Sequence, residues 1–93
     1  LNIDDRMIER CKYVATKVQE LNLAPTNTPT SIAAGSIYFI SMIYNLGITR
    51  DHIKKATKGV SKVTINKCFM TLYTHKSTLI MSEEELEKTM EHR

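Results

Sequence analysis

The residues with chemistry to offer are concentrated in one segment of the chain. Residues 49 to 77 hold seven basic side chains (Arg50, Lys54, Lys55, Lys58, Lys62, Lys67 and Lys76) against Asp51 alone, a net +6. Residues 1 to 48 balance four acids against four bases, and residues 78 to 93 set Glu83, Glu84, Glu85, Glu87 and Glu91 against Lys88 and Arg93, a net −3. The overall charge of +3 therefore conceals a basic block. Bases clustered in this way are the electrostatic footprint of a surface that receives phosphates, although a solvated face would account for the charge alone. Within the block, Val63 can touch a thymine methyl, and the Asn66 amide can pair with adenine through both its donor and its acceptor. Lys54, Lys58, Lys62 and Lys67 suit phosphates, and a helix starting after Thr49 presents backbone amides to another.

Other chemistries find little support. His52, His75 and His92 lack the spacing of metal ligands, no glycine-rich phosphate loop occurs, and Cys11 and Cys68 form no CxxC pair. This argues against a zinc ribbon and a secreted disulfide framework, and the cysteines read as reduced core thiols of an intracellular protein. The chain reads as a binding module with no metal or cofactor, and not as an enzyme. At 93 residues, 42% hydrophobic and 25% charged, it is one globular domain and not a disordered segment.

The elements that must position these groups are helices. Met7, Cys11, Val14, Val18 and Leu21 recur at spacings of four and three after Asp4 or Asp5, each a natural cap, which predicts a first helix ending before "APTNTP". Thr28 and Pro29 open a second, running to Tyr44 or Asn45 with Gly47 as its terminator. No charge falls between Ser31 and Ile48, yet this helix is too polar and too short to span a membrane, since a span needs about 20 apolar residues. It reads instead as a central helix, with Ala33, Ala34, Gly35 and Ser36 admitting close neighbours. A short third helix from Arg50 to about Thr57 buries Ile53 and Ala56, and Gly59 breaks it. A fourth begins after Ser61, with Ile65, Cys68 or Phe69, and Leu72 facing inward, and with Lys62 or Val63, Asn66 or Lys67, and Met70 facing outward. The β-branched start of "GVSKVTINKCFMTLY" reads as a strand by propensity, but the longer helical period outweighs it. Ser82 and Glu85 form a capping box for an acidic fifth helix.

A short helix, a glycine-containing turn and a second capped helix make a helix-turn-helix pattern inside the basic block, in which the second helix lies in the major groove. The residues "TPTSIAAGSIYFIS", followed by "GITRDHIKKATKGVSKVTINKCFMTLY", resemble the second cyclin-like repeat of transcription factor IIB and its archaeal counterpart. In that family P-x-S-I/V-A-A-x-x-I-Y marks the central helix, T-x-x-x-I the helix before the turn, and G-V-x-x-V-T-I-R the recognition helix. "YVATKVQELNLAP" matches the preceding helix, so coverage runs from about Leu1 to Ile80. The resemblance implies an all-α cyclin-like fold of about five helices. Residues 1–81 then form the repeat without its first helix, starting at what looks like a domain cut, and residues 82–93 form an appended acidic helix. It also implies binding to promoter DNA beside TATA-binding protein, in concert with RNA polymerase, in the nucleus or at a cytoplasmic viral replication site. Abundant Ile, Lys and Asn suit the AT-rich genome of a protist or a large DNA virus.

The sequence departs from the family at three places. Asn66 takes the place of an arginine that contacts guanine, which shifts the expected base to adenine. The turn "KATKGVS" is one residue longer than usual, and His52 replaces a capping glutamate. The rival reading is a cyclin-type module that grips a helical protein and touches no DNA. For the acidic helix, the expectation is packing on the core through Leu86 and Met90, against an alternative in which it covers the basic face.

Overall fold

A computed structural model describes residues 3–92. Leu1, where the domain cut is expected, and Arg93 lie outside the described residues. Six helices follow in order: α1 (Asp5–Glu20), α2 (Pro29–Tyr44), α3 (Arg50–Ala56), α4 (Lys62–Tyr73), α5 (Lys76–Leu79) and α6 (Glu83–Glu91), with no strand among the described residues. The fold class is therefore all-α. Five of the helices are those the sequence predicts; α5 is a single turn that buries Leu79.

Side-chain caps fix most of the starts. Asp4 Oδ1 accepts from the Met7 amide at 2.9 Å, Thr28 Oγ1 from Ser31 at 3.2 Å, Ser61 Oγ from Thr64 at 3.1 Å and Ser82 Oγ from Glu85 at 3.1 Å. Each satisfies an amide that the first helical turn leaves unpaired. The ends of α1, α2 and α3 are followed by residues in the left-handed region. Asn22 has φ +52°, and the Leu23 amide donates to Val18 O at 3.0 Å, closing α1. Leu21, expected on the inward stripe, is half exposed at that end. Asn45, with φ +54°, ends α2 in place of Gly47, which takes its own positive φ of +74° two residues later. An asparagine tolerates this conformation better than most side chains, so α2 can stop before its first available glycine.

The central position expected for α2 is observed: it packs against α1, α3 and α4. Val14 and Val18 of α1, Ile32, Phe39 and Ile40 of α2, and Cys68 and Leu72 of α4 form the main core with Ala24 and Leu79. Ala34, Ile53 and Ile65 form a second cluster, flanked by Ile37, Tyr38, Ile48 and Val60, where α2, α3 and α4 meet. Ala56, expected inside with Ile53, is exposed because the seven-residue α3 turns only one face to the core.

α6 is seated on α1. Leu86 is fully buried and Met90 half-buried. Arg10, only 4% exposed, donates to Tyr44 Oη at 2.8 Å, to Met81 O at 3.1 Å and to the Glu83 carboxylate, and its guanidinium lies 4.6 Å from the Tyr44 ring centroid. Arg6 adds contacts to Glu87 at 2.8 Å and to Glu83 at 3.4 Å. Apolar burial holds α6 at its middle, and ion pairs hold its first two turns.

Candidate nucleic-acid interface

The second core cluster positions the basic segment. Ile53 of α3 and Ile65 of α4 are both fully buried against Ala34, which locks the two helices onto α2 and leaves their other faces to solvent. Ser41 fixes the loop leading into α3: its hydroxyl donates to Ile48 O at 3.2 Å and accepts from the Ile48 amide at 3.1 Å. Thr49 then caps α3, accepting from the His52 amide at 3.2 Å, while His52 Nδ1 accepts from the Thr49 amide at 3.2 Å. His52 thus performs with an imidazole nitrogen what glutamate does in the usual capping box.

The turn from Thr57 to Ser61 carries two consecutive positive φ values, +58° at Lys58 and +94° at Gly59. The Gly59 amide donates to Lys54 O at 3.0 Å, the six-residue closure typical of a helix end. Lys58, and not the glycine, is thus the first residue to leave the α3 path. Its left-handed backbone is disfavoured for a side chain by about 1 kcal/mol. Val60 is half-buried against the Ile53–Ile65 cluster, and Ser61 caps α4.

Residues of α4 separate cleanly by face. Ile65, Cys68 and Leu72 are buried at 0–1% exposure, whereas Val63 is 63% and Met70 56% exposed. Lys67 is exposed between them at the spacing i, i+4, i+7, which puts all three on one outward stripe. Asn66 is half-buried at the flank of that stripe, so Lys67 is the more outward of the pair. Of Cys68 and Phe69, Cys68 takes the core position. Phe69 is half-buried, packing edge-on against Tyr38 with centroids 5.1 Å apart and tilted against Tyr73 at 5.8 Å.

Among the proposed phosphate ligands, Lys54, Lys58 and Lys67 are exposed, as are Lys55 and Lys76 beside them. Lys62 is different: its Nζ lies 2.7 Å from Asp51 Oδ1, joining the first turn of α4 to that of α3. The Lys62 ammonium, helped by Lys55 and Lys54, holds the Asp51 carboxyl below the usual carboxylate range. The start of α3 is also less receptive to an anion than its position suggested, because Thr49 occupies the His52 amide and Asp51 places a carboxylate in the first turn. Sequence reasoning counted Asp51 only as a charge. Its spacing of eleven residues from Lys62 carries no helical signal, so only the turn geometry brings the two together.

No group of His, Cys, Asp and Glu that could hold a metal ion occurs among the described residues, and none of the helices is long and apolar enough to cross a membrane. Burial pushes both the Cys11 and the Cys68 thiol up to about 11, which disfavours the reactive thiolate. Compared with known protein families, curated proteins and solved structures, the chain matches none of them.

Proposed function

We propose that this chain is the promoter-DNA-binding domain of a transcription factor IIB-like general initiation factor, a binding module and not an enzyme. In this reading α3, the turn and α4 form a helix-turn-helix in a cyclin-like repeat. α4 lies in the major groove beside TATA-binding protein, and RNA polymerase is engaged by other parts of the factor, in the nucleus or at a viral replication site. One observation carries the reading. α4 buries a full apolar side while turning Val63, Lys67 and Met70 outward, in a segment whose lysines flank it on both ends. An outward valine at the start of a capped helix, in a basic segment, suits a groove in which base edges meet a phosphate backbone. The resemblance of the motifs around Pro29, Gly59 and Val63 to the transcription factor IIB repeat supports the same assignment.

The test is duplex binding as a function of salt. A DNA reader using Lys54, Lys58 and Lys67 loses affinity steeply as salt rises, with a slope of about −0.9 per phosphate contact. Absence of duplex binding at low salt, with or without TATA-binding protein, refutes the proposal. The second reading, a cyclin-type module for a helical protein partner, is favoured by the exposure of Met70 at 56% and Tyr73 at 43%, more apolar area than base contact requires. Binding through those residues alone would show little salt dependence.

A further inference from the structure

We infer that Asp51 is an internal competitor for DNA phosphate, holding Lys62 in an ion pair and thereby limiting the affinity of the α3–α4 surface for duplexes of any sequence. The inference rests on the DNA-binding reading above. Asp51 is the single acid among residues 49 to 77, and its Oδ1 sits 2.7 Å from Lys62 Nζ. Lys62 is the first residue of α4, where a side chain beside the groove meets the phosphate backbone. The pair is not needed to hold the helices together. Caps at Thr49 and Ser61 set their starts, and Ile53 and Ile65, both fully buried, set their packing. Side-chain exposures of 49% for Lys62 and 60% for Asp51 leave the pair in contact with water, where such bridges are weak and readily exchanged.

The consequence for binding follows from counting ions. A free lysine that meets a phosphate neutralises it and releases a counterion. Lys62 must first give up Asp51, which then stands uncompensated near the polyanion or recruits a cation of its own. Its net contribution to affinity and to counterion release is therefore close to nothing, although its position suits a phosphate contact. Lys67, which has no such carboxylate beside it in the helix sequence, contributes in full. Because phosphates are the same in every duplex, Asp51 lowers affinity without altering the base preference set by Val63 and Asn66.

Titration of the full chain with a mixed-sequence duplex across a range of salt, using Asp51→Asn, Lys62→Gln, Lys67→Gln and the Asp51→Asn/Lys62→Gln double variant, tests this. The expected result is that Asp51→Asn binds roughly fivefold more tightly at low salt and steepens the salt slope by about one contact. Lys62→Gln alone should change little, Lys67→Gln should weaken binding, and Asp51→Asn should gain clearly less in the Lys62→Gln background than in the parent. An equal gain from Asp51→Asn in both backgrounds overturns the inference, because it shows plain repulsion of DNA and no sequestering of Lys62. No gain from Asp51→Asn, with Lys67→Gln still weakening binding, also overturns it while leaving the DNA reading intact. Failure of every form to bind duplex removes both. Thermal melting of each variant, expected within a few degrees of the parent, keeps folding defects out of the comparison.

Discussion

Gly35 and Cys68 bring α2 and α4 into closer contact than any larger residue at position 35 permits: a Cβ there would lie 2.4 Å from Cys68 Sγ and 2.7 Å from its Cβ. The thiol Sγ can rotate away, but Cβ is fixed to the α4 backbone, so relief requires the helices to separate. Alanine at this helical position gains roughly 0.5–1 kcal/mol in intrinsic propensity, whereas overpacking a tight core costs about 1–3 kcal/mol. The clash should win. Gly35→Ala is expected to lower stability by roughly 1–2 kcal/mol, read from urea unfolding, and Gly35→Ala/Cys68→Gly to recover part of that loss by removing both offending atoms.

Lys58 combines an unfavourable backbone, φ +58°, with a charge suited to phosphate. The two roles come apart in Lys58→Gly, which suits the left-handed conformation and removes the cation. Stability should rise by about 0.5–1 kcal/mol, offset in part by the greater entropy of the unfolded chain, while duplex affinity falls and the salt slope becomes shallower by about one. Parallel loss of stability and binding would contradict this assignment.

The seat of α6 depends on a buried cation. Arg10 is 4% exposed and bonds to Tyr44, Met81 and Glu83, with its Nε buried and unpartnered. Removing Arg10 leaves Tyr44 Oη and Met81 O without their donor, whereas Glu83, 72% exposed, is returned to water, so Arg10→Ala should destabilise by about 1–3 kcal/mol. Leu86→Ala, which empties a fully buried position, should destabilise by about 2–4 kcal/mol. Deleting residues 82–93 should lower the melting temperature for the same reasons. An unchanged melting temperature would mean that α6 adds nothing to the core.

Alkaline pH should expose the two thiols. Cys11 and Cys68 both have their pKa raised by burial from 9.0 to about 11. Between these values the native chain holds protons that the unfolded chain has released. Their contribution to stability is therefore complete below pH 9 and is lost as pH climbs towards 11. Urea midpoints measured across that interval should fall, and the fall should be shallower in Cys11→Ser and in Cys68→Ala; an identical slope in both variants would assign the effect to other groups.

What could be read from the sequence divides according to the range of the signal. Caps at Asp4, Thr28, Thr49, Ser61 and Ser82 involve residues three apart, so helix starts were legible. The β-branched run Val63, Thr64, Ile65 was correctly overridden by the period that places Ile65, Cys68 and Leu72 together, and the structure explains why it is tolerated: Ile65 fills the α2–α3–α4 junction. Helix ends were less legible, because Asn22 takes a left-handed backbone with no glycine near it, and Asn45 and Lys58 take one ahead of Gly47 and Gly59. The burial of Arg10 carries no local signal, because it depends on Met81 and α6 folding back against α1. The Asp51–Lys62 pair was likewise hidden, since it depends on the path of a five-residue turn.

Asn66 is where the proposed reader should differ in base preference from the transcription factor IIB repeats that its sequence resembles. Its side chain is half-buried at the edge of the stripe formed by Val63, Lys67 and Met70. An amide presents a donor and an acceptor together, the pattern that adenine answers with N7 and N6, whereas arginine at the same place would answer guanine. Selection of bound sequences from randomised DNA upstream of a TATA element, using the full factor with TATA-binding protein, should therefore return adenine at one position. Asn66→Ala should abolish that preference at a cost of about 1–3 kcal/mol on the preferred site, with much smaller loss on mixed-sequence DNA. Asn66→Arg should move the preference towards guanine. If selection with Asn66→Ala returns the same bases as the parent, Asn66 does not read DNA, and base contact on α4 falls to the outward stripe of Val63, Lys67 and Met70.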